Sequence, residues 1–117
     1  QNSESALVNV SSGLAIAPKA SAPVYCASKA FVRSYSVALR YQLEEHGIRV
    51  FDLAPPLVKT DMTAGRNDGA MSAEALAASL WKAWVSDQYY IPAGQTRLLE
   101  LIHRISPGLA RRIMKNK

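Results

Sequence analysis

Ala6-Leu7-Val8-Asn9-Val10-Ser11-Ser12-Gly13 is a compact aliphatic run that ends on two hydroxyls and a glycine. It reads as a buried strand stopping at a turn. Working outward, residues 14–22 hold Pro18 and several small side chains and read as a loop. Val24, Ala27, Phe31, Tyr35, Ala38, Leu39 and Leu43 then recur at three- and four-residue steps, which predicts a long helix from Val24 to His46. Ser21 is the expected cap, Pro23 falls in the first turn, and Gly47 is the left-handed stop. Ile48-Arg49-Val50-Phe51-Asp52-Leu53-Ala54 is a second buried strand, ended by Pro55-Pro56.

Residues 60–71, with Gly65, Asn67, Asp68 and Gly69, read as a loop. Ser72 caps a second amphipathic helix that runs to about Asp87. Tyr89 to Pro92 is a short strand, confined to a sheet edge by its proline. A third helix spans Leu98 to Ile105, and Pro107-Gly108 separates it from a short basic C-terminal helix. This alternation predicts an α/β fold with a parallel sheet wrapped by helices and joined by right-handed crossovers. Ligands of such sheets bind at the carboxyl ends of the strands, here Ser11–Gly13 and the residues after Ala54.

The chain has 117 residues, about one domain, and half of them are hydrophobic, which excludes a disordered tail. A net charge of +5 suits a phosphorylated cofactor as well as a nucleic acid, so charge alone does not choose. Cys26 is the single cysteine, which excludes an internal disulfide and a cysteine-based zinc site. His46 and His103 are isolated, so no metal site is expected. No apolar run approaches the roughly 18 residues needed to cross a bilayer, and no cationic-then-apolar leader opens the sequence. The chain reads as cytoplasmic. Every charged residue after Glu100 is basic: Arg104, Arg111, Arg112, Lys115 and Lys117. That cluster reads first as a solvated helix end set against the helix dipole, with an anion, membrane-surface or nucleic-acid contact as the alternative.

Tyr25 and Lys29 are four apart on the first helix and project from one face. An ammonium beside a phenol favours the phenolate and equips it for proton transfer near neutral pH. In this composition chance supplies about a quarter of one such pair, so the spacing is weak evidence by itself. Ser12, thirteen residues earlier at the end of the preceding strand, and the Pro55-Pro56-Leu57-Val58-Lys59-Thr60 loop would meet the pair at one end of the sheet.

Asn9-Val-Ser-Ser12-Gly13, Tyr25-Cys-Ala-Ser-Lys29-Ala30 and Pro55-Pro-Leu-Val-Lys-Thr60 together resemble the second half of a short-chain dehydrogenase/reductase. Pro23 to Lys29, Ser34-Tyr35 and Ala54 to Val58 are similar to the DltE-like branch of that family. The resemblance implies a Rossmann-like doubly wound parallel sheet. It also implies NAD or NADP, with NADP favoured, and hydride transfer between a small-molecule alcohol and its carbonyl. By position, Tyr25 would be the proton donor and acceptor, Lys29 would favour its phenolate and bind the nicotinamide ribose, and Ser12 would hold the substrate oxygen. Pro55, Val58 and Thr60 would lie against the nicotinamide end. Pro56 stands where the family often has glycine, which removes a backbone donor. Thr60 reads nearly as well as a helix cap.

The family's glycine-rich phosphate turn occurs nowhere in this sequence. Residues 1–117 are therefore expected to be the C-terminal half of one Rossmann domain, inactive without the N-terminal dinucleotide-binding half. By the same resemblance, the Val24–His46 and Ser72–Asp87 helices would build a homo-oligomer. The alternative is a non-catalytic module retained for dimerisation or assembly. No nucleic-acid partner is expected.

Overall fold

Arg49–Ala54 (β2) is the central strand of a three-stranded parallel sheet, flanked by Ala6–Val10 (β1) and Tyr90–Pro92 (β3). The computed structural model describes residues 5–56 and 70–117. The helices are Pro23–Leu43 (α1), Ala73–Ser86 (α2), Gln95–Ile105 (α3) and Pro107–Met114 (α4).

Local chemistry sets most boundaries. The Ser72 hydroxyl accepts from Ala75 N–H and opens α2, satisfying a donor that the helix leaves free. Gly47 sits at φ 69° and closes the one-turn 3₁₀ segment Glu44–His46 that follows α1. The start of α1 departs from expectation. Ala22, not Ser21, is its N-cap residue, with no side-chain cap bond. Pro23 takes the first helical position, where a missing N–H costs nothing and its fixed φ suits the helix, so Ser21 stands one residue too early. The expected 14–22 loop also begins in a one-turn 3₁₀ segment, Gly13–Ala15.

Strand register explains the two faces of the sheet. Phe51 and Leu53 point to one face and join Ala83 of α2 and Ile91 of β3 in a buried cluster, with Trp84 stacked on Phe51 at 5.4 Å. Asn9, Asp52 and Tyr90 lie side by side on the other face, in register across all three strands. Asn9 reaches Ser36 of α1, and Arg33 of α1 lies over the Tyr90 ring. Thus α1 and α2 cover opposite faces, the doubly wound arrangement. Because β1, β2 and β3 follow one another in a single direction, the two helices mark crossovers of opposite hand. The expectation of two right-handed crossovers fails for one of them.

Ile16, Ala17, Leu99 and Ala110 form a second cluster that ties α3 and α4 to the segment after β1. The strand β1 is less covered than its apolar sequence predicts: Leu7, Val8 and Val10 are all exposed among the described residues, whereas Val50, Phe51 and Asp52 of β2 are buried. No helix among the described residues is long and apolar enough to cross a membrane.

Candidate active site at the carboxyl end of the sheet

β1 delivers Ser12 to the rim of the sheet. Its neighbour Ser11 continues the ladder, donating its N–H to the Leu53 carbonyl at 2.9 Å. Ser12 caps the following 3₁₀ turn, its Oγ accepting from Leu14 N–H at 3.1 Å. A hydroxyl has one hydrogen to give and two lone pairs, so this bond leaves the Ser12 O–H free to donate. Gly13 N–H donates to the Pro55 carbonyl at 3.3 Å, which fastens the Ser12 turn to the end of β2.

The Lys29 ammonium donates to the carbonyl of Val10, the last residue of β1, at 3.1 Å. That bond draws the first turns of α1 onto the same rim. Lys29 Nζ stands 5.6 Å from the centroid of the Tyr25 ring. Tyr25 is half-exposed, and its hydroxyl bonds to no other described residue. Ser12, Lys29 and Pro55 are therefore linked through backbone carbonyls at one end of the sheet. Tyr25 joins them through Lys29, with no direct bond to Ser12. Val58 and Thr60 lie outside the described residues.

A buried polar row beneath this rim went unread in the sequence. Ser11 Oγ donates to Asp52 Oδ1 at 2.6 Å, and both side chains are buried. Burial holds the Asp52 carboxyl above the ordinary carboxylate range, against the lowering effects of the Ser11 bond and of the Arg33 and Arg40 charges. Asp52 Oδ2 has no partner among the described residues. The Tyr90 hydroxyl donates to Glu100 Oε2 at 2.9 Å, and Arg33 stands 3.5 Å from the same oxygen. The available signal was a carboxylate inside an otherwise apolar strand, since an interior Asp needs a partner. Cys26, the single cysteine, is buried in α1 as a free thiol. Among the described residues no group of three or more His, Cys, Asp or Glu side chains could hold a metal.

A sequence model of the family described as short chain dehydrogenase matches residues 1–70, more than half of the chain. The chain belongs to the short-chain dehydrogenase family. It is 46% identical over 65 residues to the oxidoreductase DltE of Bacillus subtilis (strain 168), a match covering 56% of this chain and 26% of that protein. It is 43% identical over 67 residues to a sulfoacetaldehyde reductase of Chromohalobacter salexigens, covering 57% of this chain and 26% of the relative. These matches span about a quarter of the curated relatives' length. Among solved structures, a short chain dehydrogenase from Burkholderia cenocepacia J2315 in complex with NADP superposes with a TM-score of 0.81 at 20% identity, covering 96% of this chain and 48% of that one. The bulky-bulky ketone specific alcohol dehydrogenase of Comamonas testosteroni gives a TM-score of 0.66 at 23% identity, covering 89% of this chain and 41% of that one. Both likenesses concern the fold.

Proposed function

We propose that this short-chain dehydrogenase chain supplies the proton-transfer and substrate-holding part of an NAD(P)-dependent oxidoreductase that interconverts an alcohol and a carbonyl. The observation that carries this reading is the Lys29 ammonium, bonded to the end of β1 and set beside the half-exposed Tyr25 ring. In the reducing direction the Tyr25 hydroxyl gives its proton to the substrate oxygen, and in the oxidising direction the phenolate takes the proton back. The positive charge of Lys29 stabilises that phenolate. The free O–H of Ser12 donates to the same substrate oxygen and holds it in place.

The residues present fit the nicotinamide and ribose end of NAD or NADP. An ammonium carries three donors, and Lys29 uses one on Val10, leaving two to meet ribose hydroxyls. Pro55, with Val58 and Thr60, would line the nicotinamide side. The cofactor, when bound, supplies or accepts the hydride. NADP is favoured, in keeping with the ligand of the Burkholderia structure. No glycine-rich dinucleotide turn occurs in the 117 residues, so the chain is read as the C-terminal half of one Rossmann domain and as inactive alone.

The substrate is a small carbonyl compound or its alcohol, and the enzyme acts in the cytoplasm, where a buried free thiol such as Cys26 stays reduced. A homo-oligomer is proposed through α1 and α2, because Phe31, Tyr35 and Tyr41 of α1 and Trp81 and Val85 of α2 are exposed apolar side chains. In the active enzyme, Tyr25→Phe should lower kcat by several powers of ten without loss of folding. Unchanged turnover would refute the catalytic reading and favour a module serving assembly. Fluorescence titration of the 117-residue chain with NADPH should give no micromolar binding, and such binding would contradict the proposed division between two halves.

A further inference from the structure

The basic C-terminal cluster has a structural counterpart that the redox reading leaves unused. A groove of about 700 Å³ runs between the segment after Ser12, the first two turns of α1 and the outer side of α4. Leu14, Pro18, Pro23 and Ala27 form apolar walls, and the buried Cys26 lies at the floor. Lys19, Arg111, Arg112 and Lys115 line the same groove. None of the four pairs with a carboxylate among the described residues. The walls are fixed. Ala110 and Ala17 are fully buried in one cluster, and Ala20 N–H donates to the Lys115 carbonyl at 2.9 Å.

We propose that this groove binds a single-chain amphipathic anion, its alkyl chain against the apolar walls and its carboxylate or sulfonate among the four cations. Charge complementarity selects the head: four cations with no acid beside them among the described residues call for an anion. The walls select the tail, since apolar surface alone leaves a bare inorganic ion little to gain. Its volume falls within the range of small-molecule sites, and its lining comes from three separate segments of the chain. Pro23, Ala27 and Ala30 occupy one face of α1, whereas Tyr25 and Lys29 project from another, so the groove is separate from the proposed reaction site.

Isothermal titration of the protein with hexanoate, octanoate and decanoate tests the assignment. Affinity should rise with chain length, by up to about fourfold per methylene where burial is complete, and should fall with added salt. Arg111→Glu combined with Arg112→Glu should weaken octanoate binding at least tenfold with an unchanged melting temperature. Should that variant fold poorly, Ala27→Trp, which fills the groove from an exposed helix position, should abolish binding by itself. Tyr25→Phe should bind octanoate as the parent does, so loss of the redox reading would not touch this one. Equal affinity for 1-octanol or for inorganic sulfate would overturn the proposal, as would binding confined to anionic lipid vesicles or binding lost in Tyr25→Phe.

Discussion

The Ser11 hydroxyl donates to Asp52 Oδ1 at 2.6 Å, joining the residue before Ser12 to the buried middle of β2. No other side chain among the described residues bonds to this carboxyl group, and its Oδ2 is unpartnered. Ser11→Ala should therefore destabilise the protein by about 1–3 kcal/mol, the cost of stripping a buried polar group of its partner. Denaturant midpoints for the two proteins measure the difference.

Asp52 also sets a pH dependence. Its folded value lies above the unfolded one, so the folded state holds the proton more tightly. Its contribution to stability is full below the ordinary carboxylate range and is lost as pH rises through the folded value. Asp52→Asn cannot ionise, so the stability of the wild type relative to this variant should fall with rising pH and then level off. Urea titrations between about pH 3.5 and 8 would reveal it, and a difference that rises with pH would have the wrong sign.

Tyr90 gives the alkaline counterpart. Burial and its bond to Glu100 hold the phenol well above its ordinary range, so stability from the neutral phenol persists up to the unfolded value and declines above it. Tyr90→Phe should cost about 1.5–3 kcal/mol near neutrality, the usual worth of a bond to a charged acceptor. That gap should shrink as pH rises past about 10. Chemical unfolding at pH 7 and at successive alkaline values compares the two proteins.

Lys29→Met removes the bond to the Val10 carbonyl and the charge beside Tyr25. Stability should fall by about 1 kcal/mol or less, because a bond at an exposed rim is partly replaced by water. On the proposed function, kcat should fall at least a hundredfold, measured by steady-state turnover of the active enzyme. Lys29→Arg should recover stability more fully than turnover, since its planar fork cannot place a point charge in the same way.

Gly94, at φ 55° between β3 and α3, meets Pro56: a Cβ there would fall 3.2 Å from Pro56 Cγ and 3.2 Å from Met71 Sδ. Gly94→Ala should destabilise by about 1–3 kcal/mol, from the left-handed backbone and the crowded ring together. Thermal melts measure the loss. Gly108→Ala in α4, with open space at its Cβ, should change stability far less.

The limits of Ala6–Val10, the Ser72 cap of α2 and the Gly47 stop were legible in the sequence, because each depends on bonds and φ values within a few residues of chain. The Tyr25–Lys29 pair was legible for the same reason, as helical spacing alone puts both on one face. What joins Lys29 to Val10, Ser11 to Asp52, and Gly13 to Pro55 was decided by the tertiary structure. So were the exposed flank of β1 and the opposite hands of the two crossovers. These depend on strand register and on which face each helix covers. An alternating pattern says that a side chain alternates, but only packing between distant segments says what it alternates toward.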